Sequence, residues 1–384
     1  MSDLYLILKN LTRAKLRLFL TLFATFIAFM VFGLLSAFQS FLNAGVDLAA
    51  DDRLVVLNKI NFTQSLPISY VNRVRAVENV VDVVHQNWFG GYYQDPQKQV
   101  VTIAVDPEPF FRVFDEVIVP EDQAEAWIKN RQGLLVGKKT AELYDWKVGD
   151  RIPLNSNIFS QTNGRTDWDF DVVAIFENSD PQGDESSAYF HYNYFNETQS
   201  FGRDRIGWMG VRTDDPANNE KVIAGIDGLF QNTQYETESM PEAAFNKAFI
   251  EQIGNLGLII SSVVFAAFFI ILVIVGNSMV LAIRERTREI GVMKTLGFRS
   301  PRIFRMVLAE SMAIALIGGF LGLAAARGLI FLVSQGSAQI PTLIMNGEVV
   351  LKAFGIMLLM GLITGIIPAI NALRLNIVTS FSRN

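Results

Sequence analysis

The sequence contains no cysteine and only two histidines, His85 and His191, 106 positions apart. The first absence excludes disulfides, thiolate metal sites and cysteine catalysis, and leaves the redox compartment open. The second leaves no imidazole pair at ligand or catalytic spacing. A phosphate-binding loop is also missing. Gly133-Leu134-Leu135-Val136-Gly137-Lys138-Lys139-Thr140 places only three residues between its glycines, and Lys139 stands where Ser or Thr should follow the lysine. With no second nucleotide motif either, ATP hydrolysis is not expected of this polypeptide. Charge itself is absent in blocks: residues 18–46, 253–283 and 311–326 hold no Asp, Glu, Lys or Arg.

What fills those blocks is bulky and apolar. Half of the 384 residues are hydrophobic and 30 are Phe, concentrated in four runs of membrane-spanning length. The net charge of −5 hides a division, because residues 47–251 carry 18 basic and 33 acidic residues and the remainder 15 basic and 5 acidic. An acidic domain on one side of a bilayer, with cationic ends on the other, follows from that asymmetry. Lys9, Arg13, Lys15 and Arg17 precede the first run, which at 29 residues is too long for a signal-peptide core. Residues 1–17 therefore read as a cytoplasmic amphipathic segment, or simply as the start of the first span, residues 18–46.

Residues 47–238 form one domain outside the membrane. Short β-branched runs recur at Leu54–Leu57, Val80–Val84, Val100–Val105, Asp171–Phe176 and Gly207–Arg212, with helical stretches at Ser69–Val77 and Ala124–Ile128. This is an α+β pattern without a sustained βαβ repeat. Asp167, Asp169 and Asp171 alternate, so a strand puts them on one face, and a solvated face is expected rather than a metal site. Asn178–Glu185 reads as an exposed loop. The aromatics after it, Tyr189, Phe190, Tyr192, Tyr194, Phe195 and Phe201, suit a core or a docking surface.

Ser239-Met240-Pro241-Glu242 has the S-x-x-E pattern of a helix cap, with Ser239 and Glu242 as the capping pair. No proline follows between residues 242 and 289. A continuous helix of about 50 residues would be roughly 75 Å long, against roughly 30 Å of hydrocarbon, so residues 239–283 are expected to combine a stalk with the second span. The basic segment 284–305, with seven Lys or Arg and two acids, should be cytoplasmic. Ile290, Val292, Met293, Leu296, Phe298 and Ile303 interleave with its cations and offer a protein-docking face. The third span is expected over 306–334, beginning near Met306 after Pro301 ends the preceding helix, with Glu310 reaching the headgroups or pairing with Arg302 or Arg305. A short outer loop, 335–352, carries no cation before residue 352, and a fourth span over 353–373 leads to a cytoplasmic tail, 374–384. Gly318 with Gly322, and Gly361 with Gly365, give close-packing faces for helix packing or a dimer contact.

Glu285-Arg286-Thr287-Arg288-Glu289-Ile290-Gly291-Val292-Met293-Lys294-Thr295-Leu296-Gly297 resembles the ERxxEIGxx(K/R)xxG signature of the FtsX/MacB-type ABC permeases, which include the lipoprotein-release permeases. The resemblance continues through Leu308-Ala309-Glu310-Ser311 and Gly318-Gly319-Phe320-Leu321-Gly322. It extends to Gly133–Leu154 with its Val148-Gly149-Asp150 turn, to Ile103–Pro107, and to Pro368–Arg374, after which Asn376-Ile377 replaces the expected Asp-Pro. The fold implied is an α-helical membrane protein with four transmembrane helices and an α+β periplasmic domain inserted between the first two. The function implied is a permease subunit without a fused ATPase, in a bacterial inner membrane with both termini cytoplasmic. The resemblance makes Glu285, Arg286, Glu289, Ile290, Gly291, Met293, Lys294, Leu296 and Gly297 the ATPase-coupling residues. It implies no cofactor on this chain, with ATP and Mg held by a partner ABC ATPase. It also implies a second permease copy, identical or paralogous, and a periplasmic adaptor with an outer-membrane duct, or a lipoprotein carrier. Membrane lipid is a partner and nucleic acid is not. The other reading within the resemblance is an FtsX-like regulatory subunit that controls a cell-wall hydrolase or a sensor.

Overall fold

A computed structural model describes residues 13–252, 256–336 and 345–374. The chain forms two compact units, an α/β domain from residues 42–254 and a helical bundle from the segments on either side of it. Four helices are long and apolar enough to cross a membrane. They are α1 (Lys15–Asp47), α9 (Leu256–Glu285), α11 (Ser300–Gly336) and α12 (Gly347–Arg374). Residues 1–12 and 375–384, and with them most of the amphipathic segment and the tail, lie outside the described residues.

Nine longer strands build the inserted domain: β1 (Arg53–Asn58), β2 (Val80–Trp88), β3 (Thr102–Val105), β4 (Gly133–Gly137), β5 (Arg151–Ser156), β6 (Asp167–Asn178), β7 (Ala188–His191), β8 (Trp208–Thr213) and β9 (Thr237–Pro241). They lie in the order β9-β1-β8-β2-β3-β7-β4-β6-β5, within a twelve-stranded mixed sheet. The pairs β7–β3 and β6–β4 are parallel and the other neighbours antiparallel. Between the strands lie α2 (Tyr70–Arg75), α3 (Pro107–Val113), α4 (Glu121–Lys129), α5 (Lys138–Tyr144), α6 (Tyr192–Thr198) and α7 (Asn219–Phe230), and α8 (Glu242–Gln252) closes the domain. The expected strand runs at residues 54–57, 80–84, 171–176 and 207–212 all fall in or against these strands.

Alternation along each strand divides the interior into two cores. Val83, Ala104 and Leu134 point into one, while their neighbours Val84, Val105 and Leu135 point into the other. Strand β6 contributes to both because of a bulge. Val172 sits opposite Leu134 and Ala174 opposite Leu135, so Val173 is unmatched. Trp168, Phe170 and Val172 therefore fill the first core, and Ala174 and Phe176 the second. Of the aromatics after the exposed loop, Phe190, Tyr192 and Phe195 are buried and Phe201 is exposed.

The stalk begins differently from the capping expectation. Ser239, Met240 and Pro241 belong to β9, and the helix starts at Glu242. The Ser239 hydroxyl donates to Asp227 (2.7 Å), which also accepts from the Ser239 amide (3.1 Å) and the Thr237 hydroxyl (2.9 Å). A carboxylate on α7 thus covers the free edge of β9 and takes the group that a helix cap would have used. Whether α8 and α9 are continuous falls on residues 253–255, outside the described residues. Helix α9 ends at Glu285, one turn earlier than the expected rod.

Candidate coupling site

The signature segment folds as a short helix, α10 (Thr287–Thr295), set off from α9 by Arg286. Its far end closes by two backbone bonds, Gly297 N–H to Lys294 O (3.2 Å) and Phe298 N–H to Met293 O (3.0 Å). That closure needs a left-handed residue at its corner, and Gly297 supplies it with φ +90°. Ser300 then opens α11, with Pro301 in its first turn, where a missing N–H costs nothing. The third helix therefore starts six residues before Met306.

The charges of the signature are engaged with the chain's own helices. Glu285 pairs with Arg17 of α1 at 2.5 Å, and Glu289 pairs with Arg13 just before α1. Arg286 reaches Glu310 of α11 at 2.7 Å, with both side chains largely buried. This corrects the expected pairing of Glu310 with Arg302 or Arg305. Lys294 donates to the Leu373 carbonyl at 3.0 Å in the last turn of α12, a favourable place for a cation. Ile290 is buried with Ile303, and Met293 and Phe298 pack partly against the same core. Arg302 lies over the Phe298 ring at 4.8 Å.

This leaves a small, mostly apolar display. Val292 is 44 % exposed and Leu296 73 %, with Thr295 and Arg299 exposed beside them. Of the nine residues that the resemblance marks for coupling, the structure makes Glu285, Arg286, Glu289, Ile290, Gly291 and Lys294 braces or buried supports. Gly297 shapes the turn, Met293 is half-buried, and Leu296 is the one displayed apolar side chain. Val292 was read from the sequence only as part of an apolar face. Its spacing of four from Leu296, which puts both on one side of a helix, is the signal that pairs them.

The four packing glycines are all used inside the bundle. A Cβ on Gly318 would lie 2.7 Å from Thr25 Cβ, and one on Gly361 would lie 2.8 Å from Met312 Sδ. A Cβ on Gly322 would run into the Phe26 carbonyl, and one on Gly365 into the Ser311 hydroxyl. The α1–α11 and α11–α12 contacts are therefore backbone-close. The Ser311 hydroxyl donates to Gly361 O (2.8 Å) across the second.

The domain holds no catalytic arrangement among the described residues. His191 Nε2 lies 2.7 Å from the Trp127 carbonyl, and His85 is buried against Tyr192. Asp167, Asp169 and Asp171 do share a face, where Arg165 pairs with the first and Arg151 lies 3.8 and 3.4 Å from the other two. No described group of three or more His, Cys, Asp or Glu could hold a metal. Gly133–Thr140 is a strand running into α5, and Gly149 (φ +103°) makes the following turn, with Asp150 accepting from the Lys147 amide at 2.7 Å.

Sequence reading missed Arg53. Its side chain is 4 % exposed and makes paired bonds to Glu116 (2.8 and 2.9 Å), one to Glu242 (2.7 Å) and one to the Val113 carbonyl (2.8 Å). Phe114 lies against the guanidinium at 4.5 Å. One buried cation thus ties the first residue of β1 to the first residue of α8.

Residues 18–229 match the family model for the MacB-like periplasmic core domain, and residues 261–377 match that for the FtsX-like permease C-terminal region. The chain belongs to the MacB-like, FtsX-type permease family, as a multi-pass inner-membrane protein with a periplasmic domain between its first two spans. Among similar proteins, MacB of Bdellovibrio bacteriovorus, named for macrolide export, is 31 % identical over 184 residues. MacB of Shewanella sp. (strain ANA-3) is 36 % identical over 189 residues, and the pyoverdine exporter PvdT of Pseudomonas syringae pv. tomato is 31 % identical over 187. These matches cover 46–47 % of this chain and 28 % of each relative. The periplasmic region of MacB from Actinobacillus actinomycetemcomitans aligns with TM-score 0.37 at 14 % identity, over 52 % of this chain and 94 % of that one. The family assignment rests on the sequence matches.

Proposed function

We propose that this chain is the membrane subunit of an ABC system in which a separate ATPase polypeptide docks on α10 and drives motions of the periplasmic domain. The motions move a periplasmic or outer-leaflet substrate, such as a lipoprotein, drug or peptide, onward through the envelope. In this reading the basic turn and both termini are cytoplasmic, ATP and Mg belong to the partner, and the permease works as a dimer. The export roles in the relatives' names support the direction.

The observation that carries the reading is the division of labour in the signature segment. Its ions brace it against α1, α11 and α12, while Val292 and Leu296 face outward. A push delivered there reaches the bundle without being lost in a flexible loop. The test is purification of the tagged chain from its native membrane, with the co-purifying ATPase identified by mass spectrometry and assayed. Val292→Asp/Leu296→Asp should lose the ATPase while keeping the wild-type melting profile. Equal recovery with the double variant, or no ABC ATPase with wild type, overturns the proposal.

A further inference from the structure

Residues 60–72, directly after β1, carry no Asp, Glu, Lys or Arg, in a domain otherwise rich in acids. Ile60 at their head is 77 % exposed, more than any large apolar side chain described on the four spans. Its exposure is imposed by the backbone. Asn58, itself buried, accepts from the Ile60 amide (3.0 Å), and Asn61 accepts from the Thr63 and Gln64 amides (both 3.0 Å). These side-chain turns hold the loop in one shape with Ile60 outward. Phe62 meets Phe249 of α8 edge-on at 5.6 Å, and Phe249, itself 42 % exposed, stacks on Phe245 at 6.3 Å.

Helix α1 measures how far this apolar patch lies from the bilayer. Counted from Leu18, roughly 30 Å of hydrocarbon takes up about 20 residues of helix and ends near Phe38. Gly45 is seven residues further, about 10 Å beyond the hydrocarbon. Helix α8 runs the opposite way beside it, since Glu242 accepts from the Ala50 amide (3.3 Å) and the Asn246 side chain donates to the Gly45 carbonyl (2.6 Å). Phe249, three residues past Asn246, is therefore about 4–5 Å nearer the membrane than Gly45. That places Phe249, and Phe62 against it, about 6 Å outside the hydrocarbon, within the headgroup layer.

We propose that the loop of residues 60–65 rests on the outer leaflet of the membrane, with Ile60 entering the boundary between headgroups and acyl chains. An uncharged loop tipped by one large apolar side chain and backed by aromatic rings suits that layer. Lys247, exposed on α8, adds a cation near the lipid phosphates. The inserted domain then has a third foothold on the bilayer besides α1 and α8, and any motion that lifts this loop returns Ile60 to water. The inference rests on the reading of α1 as a membrane span and is independent of ATPase docking.

The absence of cysteine makes the test direct. Ile60→Cys and Asp51→Cys are made singly in the full chain, labelled with an NBD maleimide and placed in nanodiscs of phosphatidylethanolamine and phosphatidylglycerol. Asp51 is exposed beside Ala50, at the level of Glu242 and about 10 Å further from the bilayer than Phe249. Phospholipid carrying a nitroxide near the headgroup end of its acyl chain should quench the label at position 60 by about half and leave that at position 51 unchanged. Aqueous iodide should do the reverse. Equal quenching of the two positions by either agent overturns the proposal. A position 60 shielded from both agents also overturns it, because a protein surface, from a second copy or another partner, would then cover the loop.

Discussion

Arg53 offers a severe test of how the inserted domain is held to the helix that leaves it. In Arg53→Met the aliphatic stem is kept and the guanidinium removed, leaving Glu242 and Glu116 without their cation. Breaking a buried pair from one side costs about 3–5 kcal/mol, since the surviving charge stays desolvated. The Glu116 side chain is 30 % exposed and regains some hydration, while that of Glu242 is 17 % exposed and regains less. The expected loss is about 3 kcal/mol near pH 8, a fall in melting temperature of roughly 6–12 °C for a domain of this size. All five tryptophans lie between residues 88 and 208, so tryptophan fluorescence of the intact detergent-solubilised protein follows this domain alone.

The pH dependence has a definite sign. Burial pushes the Glu242 carboxyl above its usual value even with Arg53 alongside pulling it down, and removing Arg53 leaves burial unopposed. A carboxyl whose folded value exceeds its unfolded one contributes stability below about pH 4.5 that is lost as pH rises through the folded value. The deficit of Arg53→Met should therefore be small near pH 4.5 and largest near pH 8. Adding Glu242→Gln should recover about half of the loss at pH 8. A deficit under about 1 kcal/mol at pH 8, or one independent of pH, would refute the reasoning that an uncompensated buried carboxylate is the cause.

Burial lowers the His85 imidazole to about 4, so the unfolded chain takes up a proton before the folded one does. Stability present above pH 6.5 should fall by about 3 kcal/mol as pH drops toward 4, and His85→Leu should flatten a melting-temperature profile between pH 5 and 6.5. Gly297→Val forces a β-branched residue into a left-handed corner at a cost of about 1–3 kcal/mol. It should reduce ATPase recovery while leaving tryptophan melting unchanged. Gly322→Leu drives a side chain into the Phe26 carbonyl and should lower the yield of folded protein from membranes, measured by size-exclusion profile, whereas Gly328→Leu, with open space around it, should not.

The elements legible in the sequence were those written in periodicity. The spans appear as charge-free runs, and the strands at residues 54–57, 80–84 and 171–176 as β-branched alternation, because a buried face needs apolar residues wherever the chain folds. What was misread depended on partners remote in sequence. Ser239-Met240-Pro241-Glu242 has the local form of a helix cap, but Asp227, twelve residues upstream, takes the serine hydroxyl, and β1 takes the backbone into a sheet. Glu310 seemed to have its cations one or two turns away at Arg302 and Arg305. The reversal of direction at Gly297 brings Arg286, 24 residues away, closer than either. Arg53 gave no signal, since a single cation at the start of an apolar strand reads as a boundary, and its two carboxylates lie 63 and 189 positions downstream.

The braces also explain why a basic turn of this kind carries acids. A positive-inside turn needs only Lys and Arg, and Glu285 and Glu289 reduce its net charge. Each acid meets an arginine at or just before the start of α1, and Arg286 meets an acid of α11, so one ion pair on the nine-residue helix and two at the residues leading into it fix a segment that would be marginal alone. Two of the pairs are exposed and each contributes little to stability. Their value lies in direction, because a helix held to α1, α11 and α12 at separate points cannot pivot about any one of them. Replacing Arg13 and Arg17 together by Gln should therefore leave folding within about 1 kcal/mol of wild type. The same change should lower permease-dependent stimulation of the partner ATPase more than it lowers ATPase binding. A proportional loss of both would mean that the pairs serve docking rather than stiffness.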